Sequence, residues 1–414
     1  MFTSGEIKMT DRADEMEIDI HEPSFVRDPY PTYDQLREKC PVMHSDLYEG
    51  FWLLTRYEDV KQAATNWRAY TSSVAGVTAI PVIMRRTEPI LPIELDPPLH
   101  SRYRGLVNPV FSSQRIEAMR PRVLAIATSL IDRLVERGGG DLVADYAVPL
   151  SVETLAEFTG LPKADSGKWV NWIGRMFNVR DRADGDLATR EIGLYIDELI
   201  AARRKNPTGD FLSILIASEV ASETASEVKS HRLTDKELRS LCLVVFGAGF
   251  ETTADALGVM LYWLAEHPED RRRLTADRRL VSTAVEEFLR FITPIQIFGR
   301  NATTDTELHG QQIKQMDVVA LGFGSANHDP AVFSQPEHCL LDREPNPHLA
   351  FGAGVHRCLG APVARLEMQI TLEEFARRIP DYAVAPDGAV EWKTRGDRRG
   401  LNSLPVLIRK GSSV

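Results

Sequence analysis

Apolar and polar positions alternate along the chain in a way that divides it into helical stretches and two short strand-like regions. Apolar residues recur at three- and four-residue spacing through 121–136, 151–160 and 191–204, as in helices with one buried face. Strand-like runs occur at Phe51-Trp-Leu-Leu-Thr55 and again within 297–321. The clearest helix starts after Leu233. Thr234 and Glu237 have the spacing of a capping box, apolar residues continue to Ala265, and His267-Pro268 stops the run. About 32 residues at ~1.5 Å each predict a rod of about 48 Å, long enough to cross a whole domain. It is apolar nearly all round through 241–250, so it is expected to be buried. Yet its middle holds Gly247, Gly249, Glu251, Thr252 and Thr253. A glycine costs about 1 kcal/mol in a helix interior, and a buried carboxylate needs a partner or a proton. Two readings stay open at this point: a tight helix crossing around a polar cluster, or a helix opened to hold something against its face.

Two further segments break the pattern. Residues 73–98 are long, apolar and interrupted by prolines, which suits a binding loop or lid. Phe351-Gly-Ala-Gly-Val-His-Arg-Cys358-Leu-Gly360 packs glycines into a tight turn, and the amphipathic run from Ala361 to Ile379 reads as a helix with Pro362 in its first turn. Cys358 therefore stands at a helix N-terminus, where free amides and the helix dipole favour a thiolate. His356 and Arg357 add donors beside it.

Composition narrows the classes. With 414 residues, 43% hydrophobic and 26% charged, the chain is an ordinary globular protein. A formal net charge of -10 argues against a nucleic-acid partner. The four cysteines, Cys40, Cys242, Cys339 and Cys358, form no CxxC pair; their scatter suits reduced thiols in a cytoplasmic protein and gives no zinc motif. No run of 18 apolar residues predicts a membrane span. Residues 1–24 are polar and acidic and are expected to be a disordered lead, with Met9 a candidate start, ahead of a single catalytic domain over 25–414.

The cysteine segment resembles the haem-binding signature of the cytochromes P-450, F-x-x-G-x-x-x-C-x-G, through Phe351, Gly354, Cys358 and Gly360. Three more motifs follow the family's order. Ala248-Gly-Phe-Glu251-Thr252-Thr253 is similar to its A-G-x-(D/E)-T-T, and Glu287-Phe-Leu-Arg290 to its E-x-x-R. His100-Ser-Arg-Tyr-Arg104, Arg300 and His356 stand where the family binds the haem propionates. The resemblance runs from about residue 25 to 410.

It implies a mainly α cytochrome P-450 fold of about a dozen helices with a small β-rich lobe. Haem b would lie between the long central helix and the cysteine loop. Cys358 would be the iron ligand. His100, Arg104, Arg300 and His356 would hold the propionates, and Ala248, Phe351, Gly352, Gly354 and Gly360 would line the cofactor. Glu251 and Thr252 would form the acid–alcohol pair that delivers protons during dioxygen activation. Glu287 and Arg290 would be structural, with His338 of Pro336-Glu-His338-Cys339 in place of the family's usual third partner, an arginine. The reaction implied is insertion of one oxygen atom from O2 into a small apolar substrate, a terpenoid or aromatic. Electrons would come indirectly from NAD(P)H through a reductase and a ferredoxin. Expected pocket walls are Ile90, Leu91, Ile93, Val244, Ala248, Ile295, Ile297 and Leu401, with Gln296 and Asn402 each offering a hydrogen bond. Arg102, Arg115, Arg120, Arg122 and Arg365 are expected to form a basic docking face on the cysteine side. Peroxide-driven turnover and a haem-thiolate sensor without turnover are the alternatives; Glu251 and Thr252 speak against both.

Overall fold

The computed structural model describes residues 18–78, 88–177, 181–224 and 227–409. A five-stranded sheet forms the smaller lobe. Its strands are β1 (Val42–Ser45), β2 (Phe51–Leu54), β3 (Tyr70–Thr71), β4 (Ile297–Ala302) and β5 (Val318–Gly322), in the order β1-β2-β5-β4-β3. β2 and β5 run parallel and the other pairs are antiparallel. The sheet thus joins the two halves of the chain and carries Arg300 on β4. Ile18 and Ile20 are buried in this lobe with Phe25, Leu36 and Phe51, so the packed chain begins upstream of residue 25. Residues 1–17 of the expected lead lie outside the described residues.

The larger lobe is helical. Its main members are α1 (Leu99–Val107), α2 (Arg120–Arg137), α3 (Val148–Thr159), α4 (Ser166–Met176), α5 (Arg182–Lys205), α6 (Asp235–Ala248), α7 (Glu251–Glu266), α8 (Leu280–Ile292) and α9 (Ala361–Arg378). α2, α3 and α5 cover the three periodic runs. The capping box of Thr234 and Glu237 forms in both directions at the start of α6. The predicted rod differs in one respect: it breaks between Ala248 and Glu251, where Phe250 has φ -119°. The break falls where packing leaves room for no side chain. A Cβ at Gly249 would lie 2.5 Å from the Val245 carbonyl oxygen and 2.9 Å from Leu155 Cδ1 on α3. The combined segment Asp235–Glu266 is long and apolar enough to cross a membrane, but 67% of its most apolar window is buried inside the protein, where it is the core helix.

The segment leading to the cysteine loop is tied to α8 by a buried ion cluster. Glu287 accepts from Arg290 Nε and Nη2, each at 2.8 Å, and from Arg343 Nε at 2.9 and 3.0 Å. The Leu340 amide and Asn346 Nδ2 add donors at 2.8 and 3.1 Å. Arg343 is therefore the third partner, and His338 is not. The His338 ring points to Glu337 at 2.8 Å, and only its carbonyl joins the cluster, accepting from Arg290 and Arg343. A guanidinium carries a fixed charge and several donors, so it serves both oxygens of a buried carboxylate in a way an imidazole does not.

Candidate active site

The cysteine loop is shaped by its glycines. Gly352 and Gly354 have φ of +65° and +69°. A Cβ at Gly354 would sit 2.9 Å from both the Ala64 carbonyl oxygen and Thr65 Cα, so the loop lies directly against the helix Tyr57–Thr65. The Cys358 amide closes the turn on the Phe351 carbonyl at 2.8 Å, and α9 starts three residues later with proline in its first turn. All four cysteines are free thiols, and Cys358 is the exposed one. Although its surface is accessible, Cys358 sits deep among protein atoms. Burial pushes its thiol up, against the pull of the Gly360 amide, the Arg104 guanidinium and the Ala361 amide. A coordinating metal deprotonates a thiol outright.

Arg365 is internal. It grips Glu286 through two bonds of 2.6 and 2.7 Å and stacks 4.6 Å over Phe351. It braces the cysteine loop.

Beside the loop, the structure brings His100, Arg104, Arg300 and His356 together. The rings of His100 and His356 are 4.4 Å apart. His100 Nδ1 and Nε2 and His356 Nε2 are buried without a hydrogen-bond partner. Arg300 is buried, and its Nη1 donates to the neighbouring Gly299 carbonyl at 2.7 Å. Arg104 reaches the Arg357 carbonyl at 2.7 Å, which connects α1 to the cysteine loop. Asp96, which sequence reading did not single out, approaches His356 at 4.0 Å. Burial lowers His100 to about 4 and His356 to about 3; Arg104 deepens the first shift and Arg300 the second. Burial also brings Arg300 down to about 10. Orphaned donors and a desolvated guanidinium call for anionic acceptors. A haem, with its two propionates, has the matching chemistry, and the residues fit it.

Across the central helix, Ala248 is exposed although it lies at the middle of the fold, and Thr252 donates weakly to the Ala248 carbonyl at 3.3 Å. The residues 248 and 252 are four apart, so they share a helix face. Glu251 faces elsewhere. Its carboxylate accepts from Lys393 Nζ at 2.8 Å and from Arg398. Burial opposes its charge, but Arg398 and Lys393 outweigh burial and hold it below the usual carboxylate range. Lys393 also binds Asp255 at 2.8 Å. No local spacing signals these cations, which are more than 140 residues away in the chain.

Three expected pocket residues are placed otherwise. Ile297 packs into the small lobe with Leu53 and Ala320. Leu401 is in the core against α7. Gln296 is buried, its amide donating to the Ile292 and Thr293 carbonyls at 3.0 and 2.7 Å. Alternation along a strand sends neighbours to opposite faces, and the sequence pattern did not fix which face is inside. Asn402 is exposed and donates to the Trp392 carbonyl at 3.4 Å. Ile90, Leu91, Ile93, Val244 and Ile295 are half-buried. Of the loop 73–98, residues 79–87 lie outside the described residues. Its base is anchored by buried Glu94, which accepts from Gly76 N and Thr78 Oγ1, and by the Leu91 amide on Ser240 of α6.

The family model for cytochrome P-450 matches residues 170–379. The chain is 34% identical over 407 residues to the polyketide biosynthesis cytochrome P-450 PksS of Bacillus subtilis, covering 94% of this chain and 98% of that one. It is 35% identical over 391 residues to mycinamicin IV hydroxylase/epoxidase of Micromonospora griseorubida, covering 91% and 94%. The solved structure of Bacillus subtilis PksS superposes with a TM-score of 0.85 over 95% of this chain and 100% of that chain, at 34% identity. The structure of P-450 BioI in complex with a fatty-acid-ligated acyl carrier protein gives 0.83, at 28% identity, over 93% and 99%. This chain belongs to the cytochrome P-450 family. It is a monooxygenase, an oxidoreductase that works with haem and O2.

Proposed function

We propose that Cys358 ligates the haem iron, that His100, Arg104, Arg300 and His356 hold the propionates, and that Thr252 at the reacting face and Glu251 behind it manage protons. The meeting of Arg104 and Arg300 with two histidines whose buried ring nitrogens lack partners, beside the Cys358 loop, carries this reading. Bound haem supplies the oxygen chemistry: one atom of O2 enters the substrate and the other leaves as water, with two electrons and two protons consumed. The protein's part is positional. The glycine turn presents Cys358, the small side chain of Ala248 leaves room on the central helix, and Thr252 offers a hydroxyl on the same face.

An apolar organic substrate fits the half-buried Ile90, Leu91, Ile93, Val244 and Ile295. Relatives named for polyketide biosynthesis and mycinamicin IV favour a substrate larger than the small terpenoid or aromatic that the sequence alone suggested. Electrons from NAD(P)H are proposed to arrive through a ferredoxin and its reductase, with the protein acting in the cytoplasm. Replacing Cys358 by Ser tests the site. The reduced carbon monoxide complex of the wild type is expected to have the strongly red-shifted Soret band of thiolate ligation, and the variant to lose it. An unchanged band would overturn the assignment.

A further inference from the structure

Behind the proton-handling helix lies a second polar site. A cavity of about 160 Å³ is lined by Glu251, Asp255, Lys393 and Asn402 on one side and by apolar residues such as Val143 and Val170 on the other. Val170 is 37% exposed, which places one end of the cavity at the protein surface. The volume admits several waters, and four polar side chains give them partners. Asp255 is one helical turn beyond Glu251, so both carboxyls point the same way, while Thr252 projects from an adjoining face.

The two carboxyls are held by one ammonium. Lys393 Nζ is 2.8 Å from Glu251 Oε1 and 2.8 Å from Asp255 Oδ1. Their surroundings differ. Glu251 has a second cation, Arg398, on its other oxygen. Asp255 is 2% exposed, its Oδ2 is buried with no partner, and Gly400 is packed so closely that a Cβ there would lie 2.2 Å from Asp255 Oδ1. The charged groups acting on Asp255 are Lys393, Glu251 and Arg398; the cavity walls from α3 and α4 are the apolar Val148, Val170, Ile173 and Gly174. Two carboxyls sharing one cation divide the roles: the doubly paired one keeps its charge, and the other takes a proton more readily than an ordinary aspartate.

We propose that Asp255 is the proton-storing member of the site, refilled by water in the cavity and discharging to Glu251 through that water, with Lys393 holding the two carboxyls side by side. A cavity water gives a proton to the Glu251 carboxylate and takes the one held by Asp255; further water then restores Asp255. The net change is one proton moved inward, with no electron transfer. Burial raises Asp255, Lys393 lowers it and the Glu251 charge raises it, for a net upward shift. The protonated donor is therefore lost as pH rises through that raised value, and proton delivery weakens on the alkaline side. The inference rests on the reading of Glu251 and Thr252 as the proton-delivery pair.

The first test needs no turnover. Infrared spectra of the wild-type holoenzyme, with and without ¹³C-labelled aspartate carboxyls, are expected to contain a protonated aspartic acid band that bleaches above the ordinary aspartate range. Asp255→Asn should remove it. No such band in the wild type overturns the proposal, even if the variant does not fold. The second test is kinetic. Asp255→Asn is expected to lower kcat by roughly tenfold, less than the ~10²–10⁴ of a direct general acid. KM should be unchanged, the alkaline limb of the pH profile should flatten and the solvent isotope effect should rise. Asp255→Glu should restore part of the rate. A purely structural role would shift Tm and leave the pH profile intact, which would overturn the relay. If Asp255→Asn is silent while Glu251→Gln slows turnover, the relay fails and the proton-delivery pair stands. If Glu251→Gln is silent too, both fail together.

Discussion

At the scale of single residues, the site separates side chains that chemistry marks locally from side chains that only the fold brings near. Thr252 is of the first kind: a hydroxyl one turn from Ala248, inside a recognisable motif of the central helix. Its 3.3 Å bond to the Ala248 carbonyl is long, so the hydroxyl is free to exchange that acceptor for a water. Thr252→Ala is expected to leave NAD(P)H consumption largely intact. Product formed per NAD(P)H should fall about tenfold, below the ~10² of a fully used proton donor, with peroxide released in its place. Measuring product and peroxide against NAD(P)H decides it, and full coupling in the variant would make the hydroxyl structural. Cys358 was legible for a similar reason, since its glycines and the helix start mark it within ten residues. Asp96, Lys393 and Arg398 were not, because each acts across a long chain separation that spacing does not encode.

At the scale of elements, periodicity located the helices well and the interruptions poorly. The run from 121 to 136 became Arg120–Arg137, and the capping box formed as read. The break at Gly249 depends on Leu155 of another helix, which no pattern within 235–266 reveals. Arg343 was missed because it sits in a coil with prolines, where an Asp-Arg dipeptide is a slight signal. Its importance is energetic. Glu287, Arg290 and Arg343 are all buried, so removal of one cation leaves a carboxylate underpaired in the interior. Arg343→Ala is expected to cost about 3–5 kcal/mol, the range for breaking a buried ion pair. Tm should drop and haem should be retained less well. His338→Ala should be close to neutral, since only the backbone carbonyl of His338 takes part. Denaturant titration of the two variants compares the roles directly, and equal losses would contradict the assignment of Arg343.

At the scale of the whole molecule, the question is how an acidic protein of net charge -10 would receive an acidic electron donor. The structure reduces the expected basic face. Arg365 is engaged by Glu286, and Arg120 by Glu117 and Gln369. Arg122 is 3.6 Å from Glu157 but its side chain is 70% exposed, and Arg115 is exposed on the short helix Ser113–Glu117. Arg102 lies on α1, the helix that Arg104 ties to the cysteine loop. Arg115 and Arg122 thus stay at the surface, and Arg102 shares its helix with a residue that touches the cysteine loop. A local positive patch on a negative body orients an approaching partner more than it tightens binding, and its field is screened within ~8 Å at physiological salt. Replacing Arg102 and Arg115 by Glu together should therefore slow ferredoxin-driven reduction by on the order of tenfold at low salt, the low end of electrostatic steering. The dependence on salt should flatten in the same variant, because less steering remains to be screened. Reduction by dithionite should proceed at the wild-type rate, since a small reductant does not need the patch. Stopped-flow reduction across a salt series separates these outcomes. Equal ferredoxin rates for the wild type and the double variant at low salt would move the docking face elsewhere on the molecule.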